Sequence, residues 1–228
     1  HYVRTVRDAD GWHLLRGLDR GKDQSYMLHG LGQRELARSL FPVGGMSKAE
    51  TRAHAVRLGL PVADKPDSQE VCFVAGDHGD FLAERAPHLA RAGEVVDVEG
   101  NRLADHDGTF RFTVGQRRGL GVSTREPSYV LEIDAARDRV VVGPGELLAR
   151  GGLVADRPRW VAGAAPSGPF EAEAQLRYRG EAVPAVVEAV ADEVRVAFRV
   201  AQRGVAPGQS VVIYRGDELL GGARILRA

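Results

Sequence analysis

The 228-residue chain carries 31 basic and 31 acidic side chains, is 43% hydrophobic, and contains 28 glycines and 11 prolines. That balance describes a globular protein rather than a disordered or fibrous one, and zero net charge argues against a dedicated nucleic-acid coat while allowing a local basic face. No run approaches the length of a membrane helix, no charged-then-apolar pattern marks a secretion signal, and a single cysteine fits a reducing compartment, the cytoplasm by default.

The chain opens on His1-Tyr2-Val3-Arg4-Thr5-Val6, which reads as a strand, and residues 12–15 form a second one after the Asp8-Ala9-Asp10-Gly11 turn. Asp23-Gln24-Ser25 ahead of Tyr26, Met27, Leu28 and Leu31 predicts a helix from near Asp23, cut short by Gly30 and Gly32. Ser47-Lys48-Ala49-Glu50 is a capping box, in which the serine oxygen accepts from the Glu50 amide and the carboxylate reaches back. Ala49, Ala53, Val56 and Leu60 then share one helix face, and Gly59 before Pro61 supplies the stop. Pro61 to Phe73 reads as a loop that delivers Cys72 into a short strand, Val71 to Val74, and residues 80–90 as one more short helix through Phe81, Leu82 and Leu89.

Beyond that point the helical period gives way to strands over Gly93–Val98, Phe110–Val114, Tyr129–Ile133 and Arg139–Val142, with Glu99-Gly100-Asn101 as a hairpin turn. Leu147–Gly152 marks a boundary. Past it, Phe170, Ala172, Ala174, Leu176 and Tyr178 alternate with polar residues, as do Val194, Val196, Phe198 and Val200, and Val211–Tyr214 and Leu219–Leu226 flank a Gly216-Asp217 turn. The expected fold class is mainly β: an α/β segment over 1–80, a small central β domain over 81–147, and a C-terminal antiparallel β-barrel over 148–228.

Cys72 follows the polar run Asp67-Ser68-Gln69-Glu70 and precedes Asp77, His78 and Asp80. A lone thiol forms no internal disulfide; it is either a small buried residue or, where exposed with a tuned pKa, a reactive one. Gly115-Gln116-Arg117-Arg118-Gly119-Leu120-Gly121 places two guanidiniums among glycines that let a backbone approach a phosphate, although the lysine and hydroxyl of a Walker loop are missing. Gly21-Lys22-Asp23-Gln24-Ser25-Tyr26 is a second loop leading into a helix start. Arg177-Tyr178-Arg179, read as a continuation of its strand, puts two arginines on one face and the tyrosine on the other, suited to a phosphate backbone or to water. Seven histidines without zinc spacing and one cysteine predict no metal site. A Cys-His pair from Cys72 with His54 or His78 stays open on the residues alone.

In order, Gly21-Lys22-Asp23-Gln24-Ser25-Tyr26, Leu40-Phe41-Pro42-Val43-Gly44, Leu58-Gly59-Leu60, Asp67-Ser68 with Cys72-Phe73, Gly115 to Gly121 and Pro207-Gly208-Gln209-Ser210 resemble the tRNA-specific 2-thiouridylase family, across essentially the whole chain. The resemblance implies ATP-dependent sulfur insertion at C2 of the wobble uridine, U34: ATP with magnesium adenylates the base oxygen, and a cysteine persulfide charged by a sulfur-donor protein supplies the sulfur. Cys72 matches the persulfide cysteine, and His1, Lys22, Asp23, Gln24, Arg177, Tyr178 and Gln209 match tRNA-contacting positions. Gln116, Arg117 and Arg118 are further candidates for tRNA contact. The family's Ser-Gly-Gly-x-Asp-Ser pyrophosphate loop and its earlier second cysteine have no counterpart in these residues, and Ser68-Gln69-Glu70-Val71-Cys72 stands where many relatives have Ser-Thr-Gly-Ile-Cys. The expectation is therefore the C-terminal two thirds of the enzyme, beginning inside its adenylating domain, with residues 1–80 as the end of that α/β domain and the carrier of Cys72; alone, it performs no ATP-dependent thiolation. The competing reading is a stand-alone tRNA-binding β module with a structural thiol.

Overall fold

A computed structural model describes residues 1–65, 78–123 and 126–228; Cys72 and the run leading to it lie outside the described residues. In chain order the elements are β1 (Val3–Asp8), β2 (Gly11–Arg16), α1 (Gln33–Leu36), α2 (Lys48–Arg57), α3 (His78–Arg85), β3 (Gly93–Val96), β4 (Arg102–His106), β5 (Ser128–Asp134), β6 (Arg139–Pro144), β7 (Arg150–Trp160), β8 (Phe170–Gln175), β9 (Ala182–Val190), β10 (Glu193–Gln202), β11 (Ser210–Arg215) and β12 (Glu218–Arg227). The chain divides into two compact units, one of His1–Lys65 with Gly151–Ala201 and Pro207–Ala228, the other of Pro66–Arg150 with Gln202–Ala206.

In the first unit β7 to β12 form a closed six-stranded antiparallel barrel, with β12 pairing to both β11 and β7. Closure leaves no sheet edge within those six strands. The inward face is lined by small and branched residues, among them Ala172, Ala174, Ala185, Val187, Val194 and Val196, each 9% exposed or less. The β1–β2 hairpin then adds to the barrel through Leu15 opposite Glu218 and Leu14 opposite Leu219. This explains why Val211-Val212-Ile213-Tyr214 is apolar without alternation. All four residues are fully buried, and Val212 and Tyr214 pack with Val3, Leu14, Tyr26 and Leu36 from the N-terminal segment, so β11 is covered on both faces.

The same junction carries charge. His13 on β2 lies 2.6 Å from Glu218 through Nδ1 and 3.0 Å from Asp8 through Nε2, and Asp217 pairs with Arg4 at 2.6 Å and with Arg20. The hydrogen bond to Glu218, then that to Asp8, raises the His13 pKa above its ordinary 6.5. Because the folded value is the higher one, this stabilisation is complete below about pH 6.5 and disappears as the pH climbs through the raised value. His13→Gln is accordingly expected to lower stability by up to about 1 kcal/mol near pH 5.5 and to match the parent at alkaline pH, as read from paired thermal melts.

Local structure departs from the sequence expectation in several places. The stretch from Asp23 forms one 3₁₀ turn over Ser25–Leu28 instead of an α-helix, with Gly30 and Gly32 ending the run before an α-helical ladder is established, and a second 3₁₀ turn over Arg20–Lys22 precedes it. α2 has the Ser47/Glu50 capping box, with the Glu50 amide donating to Ser47 Oγ at 3.2 Å, but none of its residues is buried, and Ala49, Ala53, Val56 and Leu60, its expected apolar face, are exposed. Residues 110–114 are not a strand: Thr109–Arg111 is a 3₁₀ turn, and Phe112 packs against the core of its unit from a loop. β8 stops at Gln175, so Arg177-Tyr178-Arg179 form a turn, with Arg179 at φ 61° and the Gly180 amide bonded to the Arg177 carbonyl at 3.0 Å.

The second unit is a four-stranded sheet in the order β4-β3-β6-β5, with a parallel β3–β6 pair and antiparallel neighbours. Val95, Val130, Val140 and Val142 form its core with Leu120. No helix among the described residues is long and apolar enough to cross a membrane.

Candidate functional site

In the first unit the expected contact residues come from four separate stretches, of which Lys22–Gln24, Arg177–Tyr178 and Gln209 flank Tyr26. Its hydroxyl donates to the Ser210 carbonyl at 2.8 Å, and its ring lies 6.4 Å from that of Tyr178 and 6.5 Å from that of His29. His29 Nε2 is 3.0 Å from Ser210 Oγ, and burial lowers the pKa of this histidine, which keeps the imidazole neutral. His29 needs the glycine beneath it, since a Cβ on Gly222 would come within 2.7 Å of its ring. Gln209, next to Ser210, is fixed by backbone bonds between 208–209 and Ile225 of 2.8 and 2.7 Å.

The Lys22-Asp23-Gln24 loop is held from below. Gln24 exchanges two bonds with Tyr2, accepting the Tyr2 amide on Oε1 at 3.0 Å and donating its own amide to the Tyr2 carbonyl at 3.2 Å, which places His1 beside this loop. Asp23 accepts the amides of Gly17 (2.9 Å) and Ser25 (3.1 Å) on Oδ1, and Ser25 Oγ (2.8 Å) and Arg16 Nη1 (3.2 Å) on Oδ2. Arg16 Nη1 also donates to Gln175 Oε1 at 3.1 Å, and Gln175 Nε2 donates to the Arg177 carbonyl at 3.1 Å. The guanidinium stacks on Tyr214, 3.5 Å from the ring centroid. Ser25 spends its proton on Asp23, so the Tyr214 hydroxyl, 3.1 Å away, donates to Ser25. Burial pushes both the Tyr214 and Tyr26 hydroxyls up to about 12, so each is a proton donor at neutral pH. Over this buried layer His1, Arg177, Tyr178 and Arg179 are exposed, and Lys22, Gln24 and Gln209 are half-buried.

Arg16, Ser25, Gln175 and Tyr214 are absent from the sequence expectation. Their one signal is a polar group at a covered position, and it becomes visible only once β2, β8, β11 and the 3₁₀ turn that begins at Ser25 are brought together in the fold.

In the second unit, Gly115, Gly119 and Gly121 adopt φ of 88°, 72° and 69°, which only glycine takes up without strain. Gln116 is consumed in shaping this loop: Oε1 accepts the Thr113 amide at 3.0 Å and Nε2 donates to the Arg118 carbonyl at 2.8 Å. Arg117 and Arg118 are exposed, and neither guanidinium meets a carboxylate among the described residues. Arg117 borders an open cavity of about 490 Å³ lined by the glycine loop, Glu126 and Ser128. No cluster of three metal-ligating side chains occurs among the described residues.

Three family models match the chain in succession: a tRNA methyl transferase HUP domain over residues 1–76, a tRNA methyl transferase PRC-barrel domain over 79–144, and an aminomethyltransferase beta-barrel domain over 150–225. The chain is 49% identical, over 99% of its length, to the tRNA-specific 2-thiouridylase MnmA of Geobacter metallireducens. It is 47% identical over 100% to that of Geotalea uraniireducens, and 48% over 100% to that of Acidothermus cellulolyticus. It covers 62%, 61% and 63% of those three proteins, about three fifths of each. The descriptions differ, methyl transferase for the first two domains and thiouridylase for the relatives. The relatives carry more weight, because each is similar along essentially the whole chain while each domain description covers about a third of it. The chain belongs to the tRNA-specific 2-thiouridylase family.

Proposed function

We propose that the chain is part of a tRNA-uridine 2-sulfurtransferase that replaces O2 of U34 with sulfur in an ATP-dependent reaction, with Cys72 as the persulfide carrier. The observation that carries this reading is the near-half identity, over 99% of the chain, to proteins named tRNA-specific 2-thiouridylase. The gathering of Lys22–Gln24, Arg177–Tyr178 and Gln209 around Tyr26 supports a tRNA surface on the barrel unit, with the exposed Arg177 and the half-buried Lys22 above a hydrogen-bonded base.

Within this reading the Cys72 thiolate attacks the terminal sulfur of a donor protein's persulfide. The donor's S–S bond breaks, its thiolate leaves, and Cys72 retains the sulfane sulfur for C2 of the uridine. ATP and magnesium do not fit the residues described: the sequence has no Ser-Gly-Gly-x-Asp-Ser run, and the described residues offer no carboxylate cluster for the metal. Both are therefore assigned to no residue of this chain. tRNA and a persulfide-bearing protein are the partners, and the cytoplasm is the compartment that goes with them.

In the second unit, taken by itself, Arg117 and Arg118 are proposed as RNA contacts of their own, on a loop shaped by Gln116. For the full-length protein, Arg117→Ala and Arg118→Ala are each expected to weaken tRNA binding and to flatten the log–log salt dependence of Kd by about 1. Fluorescence anisotropy across a salt series reads both, and an unchanged slope removes this loop from the interface. Persulfide labelling of the full-length protein tests the sulfur step: uptake of one sulfur on the peptide carrying Cys72 is expected, and an inert thiol refutes the carrier role.

A further inference from the structure

We propose that Arg16 is the positioning residue of the tRNA surface on the barrel unit, and that Asp23 acts through it, from beneath, without touching the RNA. The inference rests on the tRNA-contact reading above and deepens it. A carboxylate has about four acceptor sites. All four on Asp23 are filled from inside the protein, two by the backbone amides of Gly17 and Ser25 and two by Ser25 Oγ and Arg16 Nη1, and its side chain is 10% exposed. No acceptor remains for a ribose hydroxyl or a base edge, and a carboxylate facing phosphates would repel them. What Asp23 does is hold the backbone on both sides of itself, which fixes the flanking Lys22 and Gln24.

Arg16 connects that loop to the second contact segment. One nitrogen, Nη1, bridges the Asp23 carboxylate and Gln175 Oε1, and the Gln175 amide reaches the Arg177 carbonyl at the start of the Arg177–Arg179 turn. The bridge has no freedom to drift. Gln175 is 4% exposed, Ser25 and Tyr214 are 0%, and the guanidinium plane rests on the tyrosine ring. A planar fork that stacks while donating to two acceptors is a task that lysine cannot perform. Arg16 therefore sets the spacing between Lys22–Gln24 and Arg177–Tyr178, two cationic segments that must match one phosphate backbone.

The test compares Arg16→Lys, Asp23→Asn and Val187→Ala in the full-length protein. Val187 is a fully buried residue of the barrel interior, and its truncation lowers stability without involving the network. Two readouts are taken: amide hydrogen exchange at Gly17, Gln24 and Ser25 in the absence of RNA, and Kd for tRNA at fixed salt. Arg16→Lys and Asp23→Asn are expected to speed exchange at Gly17 and Ser25 by about tenfold and to weaken tRNA binding by about tenfold, while Val187→Ala lowers the melting temperature and changes neither. Unchanged exchange in Arg16→Lys, the same changes in Val187→Ala, or tighter tRNA binding by Asp23→Asn would overturn the proposal. Lys22→Ala and Arg177→Ala separate the two ideas. If neither weakens binding, the tRNA reading of this surface fails, while the exchange data still decide whether Arg16 orders the loop.

Discussion

Cys72→Ser in the full-length protein is expected to abolish 2-thiouridine formation, by about 10⁴-fold or more, while tRNA affinity stays within about twofold. The size of the effect comes from the chemistry of the side chain. A thiolate accepts sulfane sulfur because S–S exchange proceeds through a soft, polarisable nucleophile and a thiolate leaving group, whereas a serine hydroxyl is protonated at neutral pH and forms no stable counterpart of the persulfide. Serine is nearly the same size, so binding is not expected to follow activity. Quantifying thiouridine in digested tRNA after single-turnover incubation, with filter binding in parallel, checks both halves. Residual thiolation near the parent level would end the carrier assignment, and because this chain has one cysteine, no neighbouring thiol within it could substitute.

The second large effect is structural. A Cβ added to Gly44 would lie 1.6 Å from the Val3 carbonyl oxygen and 2.4 Å from its carbon, both backbone atoms of β1, while Gly44 itself accepts the Leu18 amide at 2.9 Å. No side chain can move aside to relieve that overlap. Either the Phe41–Gly44 turn lifts off β1 and gives up the Leu18 bond, or β1 shifts and disturbs the core around Val3. Gly44→Ala is expected to cost about 3 kcal/mol or more, which lowers the melting temperature by about 6–12 °C in a chain of this size. The neighbouring Gly45 has nothing within 4 Å of the same construction, so Gly45→Ala should be neutral or slightly stabilising. Similar melting points for the two variants would refute the close approach.

Gly44 also shows where sequence reading succeeds and where it stops. The motif Leu40-Phe41-Pro42-Val43-Gly44 is visible as a run, but the backbone that crowds the glycine lies 41 positions earlier (44 − 3) and no local rule points to it. Short-range signals carried well: the Ser47/Glu50 box starts α2, and Ala172, Ala174 and Leu176 alternate inward along and just past β8. The Glu99-Gly100-Asn101 turn does join β3 to a partner strand, but the extent of that strand, β4, is hidden in Arg102-Leu103-Ala104-Asp105-His106, a charged edge with little apolar content, and β9 is hidden because Pro184 argues against a strand. The Phe110–Val114 run is apolar enough to read as a strand, yet it serves the core through Phe112 from a turn. For the site, the resemblance singled out His1, Arg177 and Tyr178, which are exposed, and equally Asp23, whose side chain is only 10% exposed. The layer that fixes them, Arg16 with Ser25, Gln175 and Tyr214, is scattered from residue 16 to residue 214, and its partners become neighbours only in the folded unit.

The barrel unit is built from both ends of the chain, and that has a consequence for how the protein is made. Leu15 of β2 pairs with Glu218 of β12, 203 positions later (218 − 15), and β12 is also the strand that closes the barrel onto β7. At a synthesis rate of about 5–20 residues per second, the first hairpin emerges and then waits roughly 10–40 s for the strand it belongs beside. Most of the second unit, by contrast, comes from the single continuous stretch Pro66–Arg150, and even its widest strand pair, Val95 with Val140, lies within that stretch and can close while translation continues. A message truncated before β12 would therefore yield a finished-looking middle with unsealed ends, its first hairpin unpaired and its barrel open along one seam. That product would expose strand edges to other chains and be a ready substrate for aggregation or proteolysis.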